Sequence, residues 1–190
     1  MEVNKNWLVL PLKNLVDISE YKENPPENFE REDSNIIHGM SFSRYGAPQF
    51  KKLHFLVKNK LENLLKEKLY PTYYFDRFYF AHTKMVRHID RESCEISVSL
   101  NISQNLPEPW ALHFDIGGHI IDCVTNPGDG VLYKGMEVPH WRDRMKGDKD
   151  SYSHQIFLHY VRGDGHFLEY AFDKGVKIDP YSHSVPKPKL

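Results

Sequence analysis

Cysteine is scarce in this chain: Cys94 and Cys123 are its two, too few for a disulfide framework. Each sits in an apolar, strand-like setting, so both are expected to be buried structural thiols. An excess of one charge is missing as well. The chain has 25 Lys and Arg against 26 Asp and Glu, a formal net charge of -1, and without a basic excess it carries no electrostatic footprint for nucleic acid. No apolar run approaches the roughly 18 residues that span a bilayer. The N-terminus, MEVNKNWLVLPLKN, lacks the basic leader and small-residue cleavage site of a secretory signal. The expectation is mature sequence of an intracellular, cytoplasmic protein. With 190 residues, 40% hydrophobic and 27% charged, the chain suffices for one domain with a sizeable core and is short for two. Histidine is the residue in unusual supply, at eleven.

The first forty residues combine a short apolar run, Trp7 to Leu15, with the acidic, proline-bearing YKENPPENFERED, read as an exposed loop. Phe50, Leu53, Val57, Leu61, Leu64 and Leu65 then fall at helical spacing, with Lys and Glu on the other face and Pro71 as a natural stop. Beyond Pro71 the period changes. TYYFDRFYF is dense in aromatics, Cys94, Ile96, Val98 and Leu100 alternate with Glu95, Ser97, Ser99 and Asn101, and WALHFDI, HIIDCVT, GVLYKG and HQIFLHYV follow between Gly, Pro and Asp turns. This reads as at least six strands in a sandwich or barrel, covered on one face by the helix. The tail DPYSHSVPKPKL is polar and proline-rich.

Two His-x-Asp pairs occur, His88-Ile-Asp90 and His113-Phe-Asp115. The motif alone is cheap in a chain this rich in His and Asp, and position separates the two. His88 and Asp90 stand between strand segments, where a loop can aim both at a barrel mouth; His113 and Asp115 alternate with Leu112 and Phe114, as an exposed strand face does. A non-haem Fe(II) site takes two His and one carboxylate. NPGDGVLYKGMEVPHWRD supplies the second histidine, His140, after a Gly-Asp-Gly turn and a short apolar strand, while His154 and His159 on the next strand compete with it.

In order and spacing, LYPTYYFDRFYFAHTKMVRHIDRESCEISVSLNIS, PWALHFD, NPGDGVLYKGMEVPHWRD and HQIFLHYV resemble the 2-oxoglutarate and Fe(II)-dependent oxygenase superfamily, closest to its prolyl 4-hydroxylase-like branch, over residues 69 to 162. The resemblance implies a mainly β fold with N-terminal helices: a double-stranded β-helix, the jelly-roll or cupin-like barrel, backed by helix. Residues 1–70 would be an N-terminal extension and covering helix, 71–172 the β-helix core and 173–190 a polar tail. It implies His88, Asp90 and His140 as catalytic iron ligands, 2-oxoglutarate as co-substrate and O2 as oxidant. Hydroxylation of an unactivated C–H bond, of a prolyl or other amino-acid residue in a small-molecule or peptide substrate, is the implied reaction. Tyr79, nine residues before His88, matches a tyrosine whose hydroxyl faces 2-oxoglutarate in the branch; the competing reading is a core aromatic between Phe78 and Phe80.

One departure stands out. The branch presents a Lys or Arg on its last strand to the far carboxylate of 2-oxoglutarate, and here that region reads GDKDSYSHQIF, with no cation at the strand itself. A desolvated dicarboxylate needs a cationic or multi-donor partner. Arg142 is the first candidate, His154 and Gln155 are substitutes, and Arg77 shares a strand face with Tyr79. Arg91 and Glu95 are expected either to form an ion pair that orients Asp90 or to be a plain surface pair. Two rival classes remain: a cupin-type metal enzyme that does not use 2-oxoglutarate, and a metal-free binding module built on Tyr73, Tyr74, Trp110 and Trp141. Loss of metal binding in a His88 variant separates both enzyme classes from the module, and dependence on 2-oxoglutarate separates the enzymes from each other.

Overall fold

Aromatic and β-branched residues at strand spacing sort this chain into two antiparallel sheets, seen in a computed structural model that describes residue 3, residues 6–27 and residues 34–173. The larger sheet runs β1 (Val9–Leu12), β9 (Gly130–Tyr133), β6 (Ile96–Asn105), β11 (Tyr152–Arg162), β4 (Leu69–Phe80) and β3 (Ser41–Tyr45). The smaller runs β2 (Ile37–His38), β5 (Lys84–His88), β10 (His140–Arg142), β7 (Leu112–Ile116) and β8 (His119–Cys123). Among the described residues no ladder closes the two sheets into a barrel. They face each other across an apolar layer in which Tyr79, Val131, Tyr133 and Phe157 of one meet Met85, Leu112 and Phe114 of the other.

The larger sheet is buried on both faces. Ile96, Val98, Leu100, Ile156, Leu158 and Tyr160 point away from the smaller sheet into a second core, and the helix α1 (Lys51–Leu65) covers them with Leu53, Val57 and Leu61. Among the described residues, the N-terminal helices expected from the resemblance are α1 and two 3-10 turns, Ser19–Tyr21 and Pro48–Phe50. Lys58, placed by period on the solvated face, is buried and bonds Glu62 at 2.8 Å.

Pro71 is not the stop. The helix ends at Lys66, in the left-handed region at φ 58°, whose N–H donates to the Glu62 carbonyl. Pro71 lies inside β4, where it is tolerated because β3 reaches only from Phe75 to Tyr79 and leaves the proline at an open edge. There its carbonyl accepts from the Phe172 N–H.

The N-terminal segment, read as an apolar run and a loop, supplies edge strands to both sheets: β1 on β9, β2 on β5 and β3 on β4. Asp129 of the Gly-Asp-Gly turn fastens this segment, accepting from the Asn14 N–H at 2.9 Å and from Lys13 Nζ at 2.9 Å. Gly128 before it has φ +90°, and a Cβ there would meet the Val16 carbonyl at 2.8 Å. The expected polar tail lies, apart from Asp173, outside the described residues, as do residues 28–33 of the proline-bearing loop. No helix among the described residues is long and apolar enough to cross a membrane.

The helix also braces the strand that borders the cavity. Between Leu158 and Tyr160 the β11–β4 register slips, and His54 Nε2 of α1 donates to the His159 carbonyl at that slip, at 3.1 Å. Leu61 is 1% exposed, so Leu61→Ala is expected to cost about 2–5 kcal/mol through lost transfer energy and a residual cavity. A urea unfolding midpoint read by far-UV circular dichroism checks this; an unchanged midpoint would mean that α1 is not seated on the sheet.

Candidate metal centre

The ladder between β5 and β10 sets His140 directly opposite His88, and on its other side His140 faces Phe114 of β7. The two imidazole centroids are 4.4 Å apart. His88 Nδ1 lies 2.9 Å from the Val86 carbonyl and His140 Nδ1 2.9 Å from the Val138 carbonyl. A carbonyl only accepts, so each Nδ1 carries a proton, and in the neutral ring Nε2 keeps its lone pair. Asp90 stands in the turn after β5, its N–H donating to the Gly135 carbonyl at 2.9 Å. That places Asp90 Oδ1 3.6 Å from both Nε2 atoms.

Burial pushes the Asp90 carboxyl pKa up, but the neighbouring His88, His140 and His159 outweigh it, and the net direction is down. Desolvation holds His140 below its ordinary value despite Asp90. For the more open His88, Asp90 and the Val86 carbonyl overcome desolvation, and its pKa rises. An ionised carboxylate beside a neutral, almost wholly buried imidazole is the protonation state a divalent cation requires of its ligands.

The three donors fit such a cation. Their ligand atoms lie within 4.8 Å of one another, both imidazoles are held by carbonyls, and two His plus one carboxylate is the donor set of non-haem Fe(II) sites and of some catalytic zinc sites. The far oxygen, Asp90 Oδ2, accepts from Ser97 Oγ at 3.3 Å. Gly135 makes room for it: a Cβ at that residue would lie 2.2 Å from Oδ2.

A cavity of about 300 Å³ opens beside the three donors, walled by Phe75, Tyr79, Leu112, Tyr133 and Phe157, with the exposed Ile36, Tyr45 and Ile89 at its rim. Tyr79 is wholly buried, and its hydroxyl has no hydrogen-bond partner. Its ring packs edge-on against Trp110 at 5.1 Å. Arg142 packs on the same indole, its guanidinium 4.7 Å from the ring and Nη1 donating to the Trp110 carbonyl at 2.8 Å, while Nε is buried and unpartnered. Arg77 lines the cavity and lies over the Tyr79 ring at 5.7 Å.

The other candidates lie elsewhere. His154 is on the helix-facing side of β11, stacked on Phe78 at 3.8 Å and bonded through Nε2 to Asp76 at 2.8 Å, so it does not reach the cavity. The β11–β6 register slips between His154 and Gln155. Gln155, buried, bonds Ser153 Oγ at 2.9 Å and does not line the cavity. Arg91 pairs with Asp173 and Glu95 with Arg162, not with each other. His113 and Asp115 are on the outer face of β7, bonded to Asp122 and Arg87. Of the four aromatics of the binding-module reading, Tyr73 lines the cavity, Tyr74 sits in the core under the helix, and Trp141 stacks on His113.

His159, read in the sequence only as a rival to His140, also lines the cavity, beside Cys94. It shares a face of β11 with Phe157, but both faces of that strand are buried, so the sequence carries no signal for which face meets the cavity. Burial holds its pKa down to about 4. Burial and the nearby Asp90 push the Cys94 thiol up to about 12, and both cysteines are free and buried.

No family model matches this chain, and a search of curated proteins finds no match. Among solved structures it is similar to a prolyl-4-hydroxylase from Pseudomonas putida, with TM-score 0.56 and 13% identity over 81% of this chain and 93% of that one. It is also similar to the non-heme α-ketoglutarate-dependent epimerase SnoN from nogalamycin biosynthesis, with TM-score 0.61 and 10% identity over 80% and 77%. HygX from Streptomyces hygroscopicus, solved with nickel and 2-oxoglutarate bound, gives TM-score 0.54 and 11% identity over 80% and 82%. At such identities the likeness is one of fold: this chain folds as 2-oxoglutarate and Fe(II) oxygenases do.

Gly135→Ala is expected to push Asp90 aside and weaken Fe(II) binding about 10–100-fold, the usual effect of disturbing a ligand's support, with the far-UV spectrum unchanged. Anaerobic Fe(II) titration of both proteins measures it; equal affinities would remove Asp90 from the ligand set.

Proposed function

We propose that this chain is a 2-oxoglutarate and Fe(II)-dependent dioxygenase that hydroxylates an unactivated C–H bond of a small molecule or of a prolyl or other amino-acid residue, and that residues 71–172 form a double-stranded β-helix. The winding supports the second part. From β4 to β11 the strands fall in the larger, smaller, larger, smaller, smaller, larger, smaller and larger sheet, which is how two facing sheets are wound from one β-ribbon.

The observation that carries the functional reading is the pair of orphaned polar groups beyond the metal donors. A buried hydroxyl and a buried guanidinium Nε without partners cost several kcal/mol between them unless something binds there. Tyr79 and Arg142 share Trp110; Tyr79 lines the cavity and Arg142 lies behind that indole, outside the lining, so a carboxylate that reached both would satisfy both. Arg142, on the strand that also carries His140, is the candidate for the absent last-strand cation. The uncharged Ser153 and Gln155 on β11 are the best support for a cupin-type enzyme without 2-oxoglutarate, and the orphaned pair weighs against it.

His88, Asp90 and His140 would hold the metal, which when bound with 2-oxoglutarate supplies oxidation by O2. The chain's own part is to present three donors from one side, to keep both Nε2 lone pairs free through the Nδ1–carbonyl bonds, and to exclude water with Leu112, Tyr133 and Phe157. The rim of Ile36, Tyr45 and Ile89 leaves an apolar approach for the substrate.

Anaerobic addition of Fe(II) and 2-oxoglutarate is expected to give a visible charge-transfer band that needs both and vanishes in His140→Ala. No band from folded, metal-binding protein would overturn the reading. In the same titration Tyr79→Phe and Arg142→Met should each raise the Kd for 2-oxoglutarate about 10-fold or more, as loss of a bond to a charged group worth about 1.5–3 kcal/mol implies, with Fe(II) affinity kept. An unchanged Kd in both variants would move the far carboxylate elsewhere, to Arg77 first.

A further inference from the structure

Asp90 presents its two oxygens to two different sets of donors. Oδ1 faces His88 and His140, at 3.6 Å from each Nε2. Oδ2 accepts from Ser97, and Asp90 is also grouped with Cys94 and His159. Donor atoms of Asp90, Cys94 and His159 lie within 4.8 Å of one another, and all three residues line the cavity.

The hydrogen bonds around Ser97 bear on the tautomer of His159. Ser97 Oγ lies 3.3 Å from Asp90 Oδ2, 3.3 Å from the Cys94 carbonyl and 2.9 Å from His159 Nδ1. The carboxylate and the carbonyl only accept; with the hydroxyl proton on either of them, His159 Nδ1 is the donor to Oγ. The ring's proton is then on Nδ1, and Nε2 is left with a lone pair. His159 is 3% exposed and Nε2 has no partner, an arrangement that costs free energy until the lone pair is used.

We propose that Cys94, His159 and Asp90 form a second cation site, next to the first and sharing Asp90 with it, that takes a soft divalent cation such as Zn(II) or Cd(II). Sulfur, imidazole and carboxylate are the donors such cations prefer, whereas the His88, Asp90 and His140 set contains no sulfur. Binding replaces the Cys94 S–H bond by an S–metal bond and releases one proton to solvent, with no change of oxidation state. Asp90 then bridges two cations, one on each oxygen. A cation held there also fills part of the cavity, so zinc at this position is inhibitory to whatever the first site does.

The site depends on the geometry of Asp90 and not on 2-oxoglutarate, and its test does not use that co-substrate. Full-length protein stripped with a chelator is titrated with Cd(II), following the ultraviolet thiolate-to-cadmium band, bound metal and released protons. Two equivalents are expected, with the band and one proton accompanying one of them. Cys123→Ser and His88→Ala should keep the band. Cys94→Ser should lose both the band and one equivalent. His159→Gln, which keeps the thiol, should weaken the band-forming equivalent at least about 10-fold, and it decides the matter if Cys94→Ser fails to fold by near-UV circular dichroism. One equivalent without a thiolate band, or a band that survives in Cys94→Ser, overturns the second site. Either result leaves the Fe(II) and 2-oxoglutarate band to be judged by itself.

Discussion

The opposition of His88 and His140 across the β5–β10 ladder is the constraint on which the site depends. A single step of register would turn one imidazole to the outer face of the smaller sheet, where Trp141, one residue on, already points and stacks on His113. The ladder is short, only three residues in β10, and it is held between two neighbours. β7 fixes His140 against Phe114, and a slip in the β5 register after His140 pairs Arg142 with Met85. Arg142 thereby stands on Trp110 near Tyr79.

Asp90 adds the charge, and its surroundings are arranged around its two oxygens. One is offered to the histidines; the other receives Ser97 in space that exists only because residue 135 has no side chain. Support for the third donor therefore comes from the larger sheet, through Ser97 on β6 and His159 on β11, while the first two donors belong to the smaller. Both sheets must be in place for the donors to converge. The helix contributes at one remove, since His54 anchors the β11 carbonyl of the residue that bonds Ser97.

Much of this was legible in the sequence wherever periodicity or turn chemistry was strong. The apolar stripe of α1 and the run of strands after it follow from side-chain spacing, and the difference between a His-x-Asp in a turn and one on an exposed strand follows from position along the chain. The short edge strands β1, β2 and β3 were not legible, because they carry little alternation and their partners are distant in sequence. Pro71 misled for a related reason: an open edge suits proline as well as a helix end does. On β11 the trouble was the reverse. Both faces of that strand are buried, so alternation does not mark which side meets the helix and which the cavity, and His154 and His159 cannot be sorted until register slips on both flanks are known. The partners of Arg91 and Glu95 depend on Asp173 and Arg162, far along the chain, and local spacing pointed instead to each other.

Among the described residues the last strand lies in the middle. β11 sits between β6 and β4, both made well before it, and the other described strands of that sheet all precede Tyr152. Before β11 is made, β4 and β6 lack the partner that each pairs with on that side in the folded chain, and β11 must pair with both. Pairing across such sequence distances is slow and exposes strand edges meanwhile. Without β11 the larger sheet divides into β1-β9-β6 and β4-β3, with four ladder edges in place of two. Ser97 then has no His159 to receive from, so a prematurely terminated chain is deprived of its support for Asp90 even though His88, Asp90 and His140 have all been made.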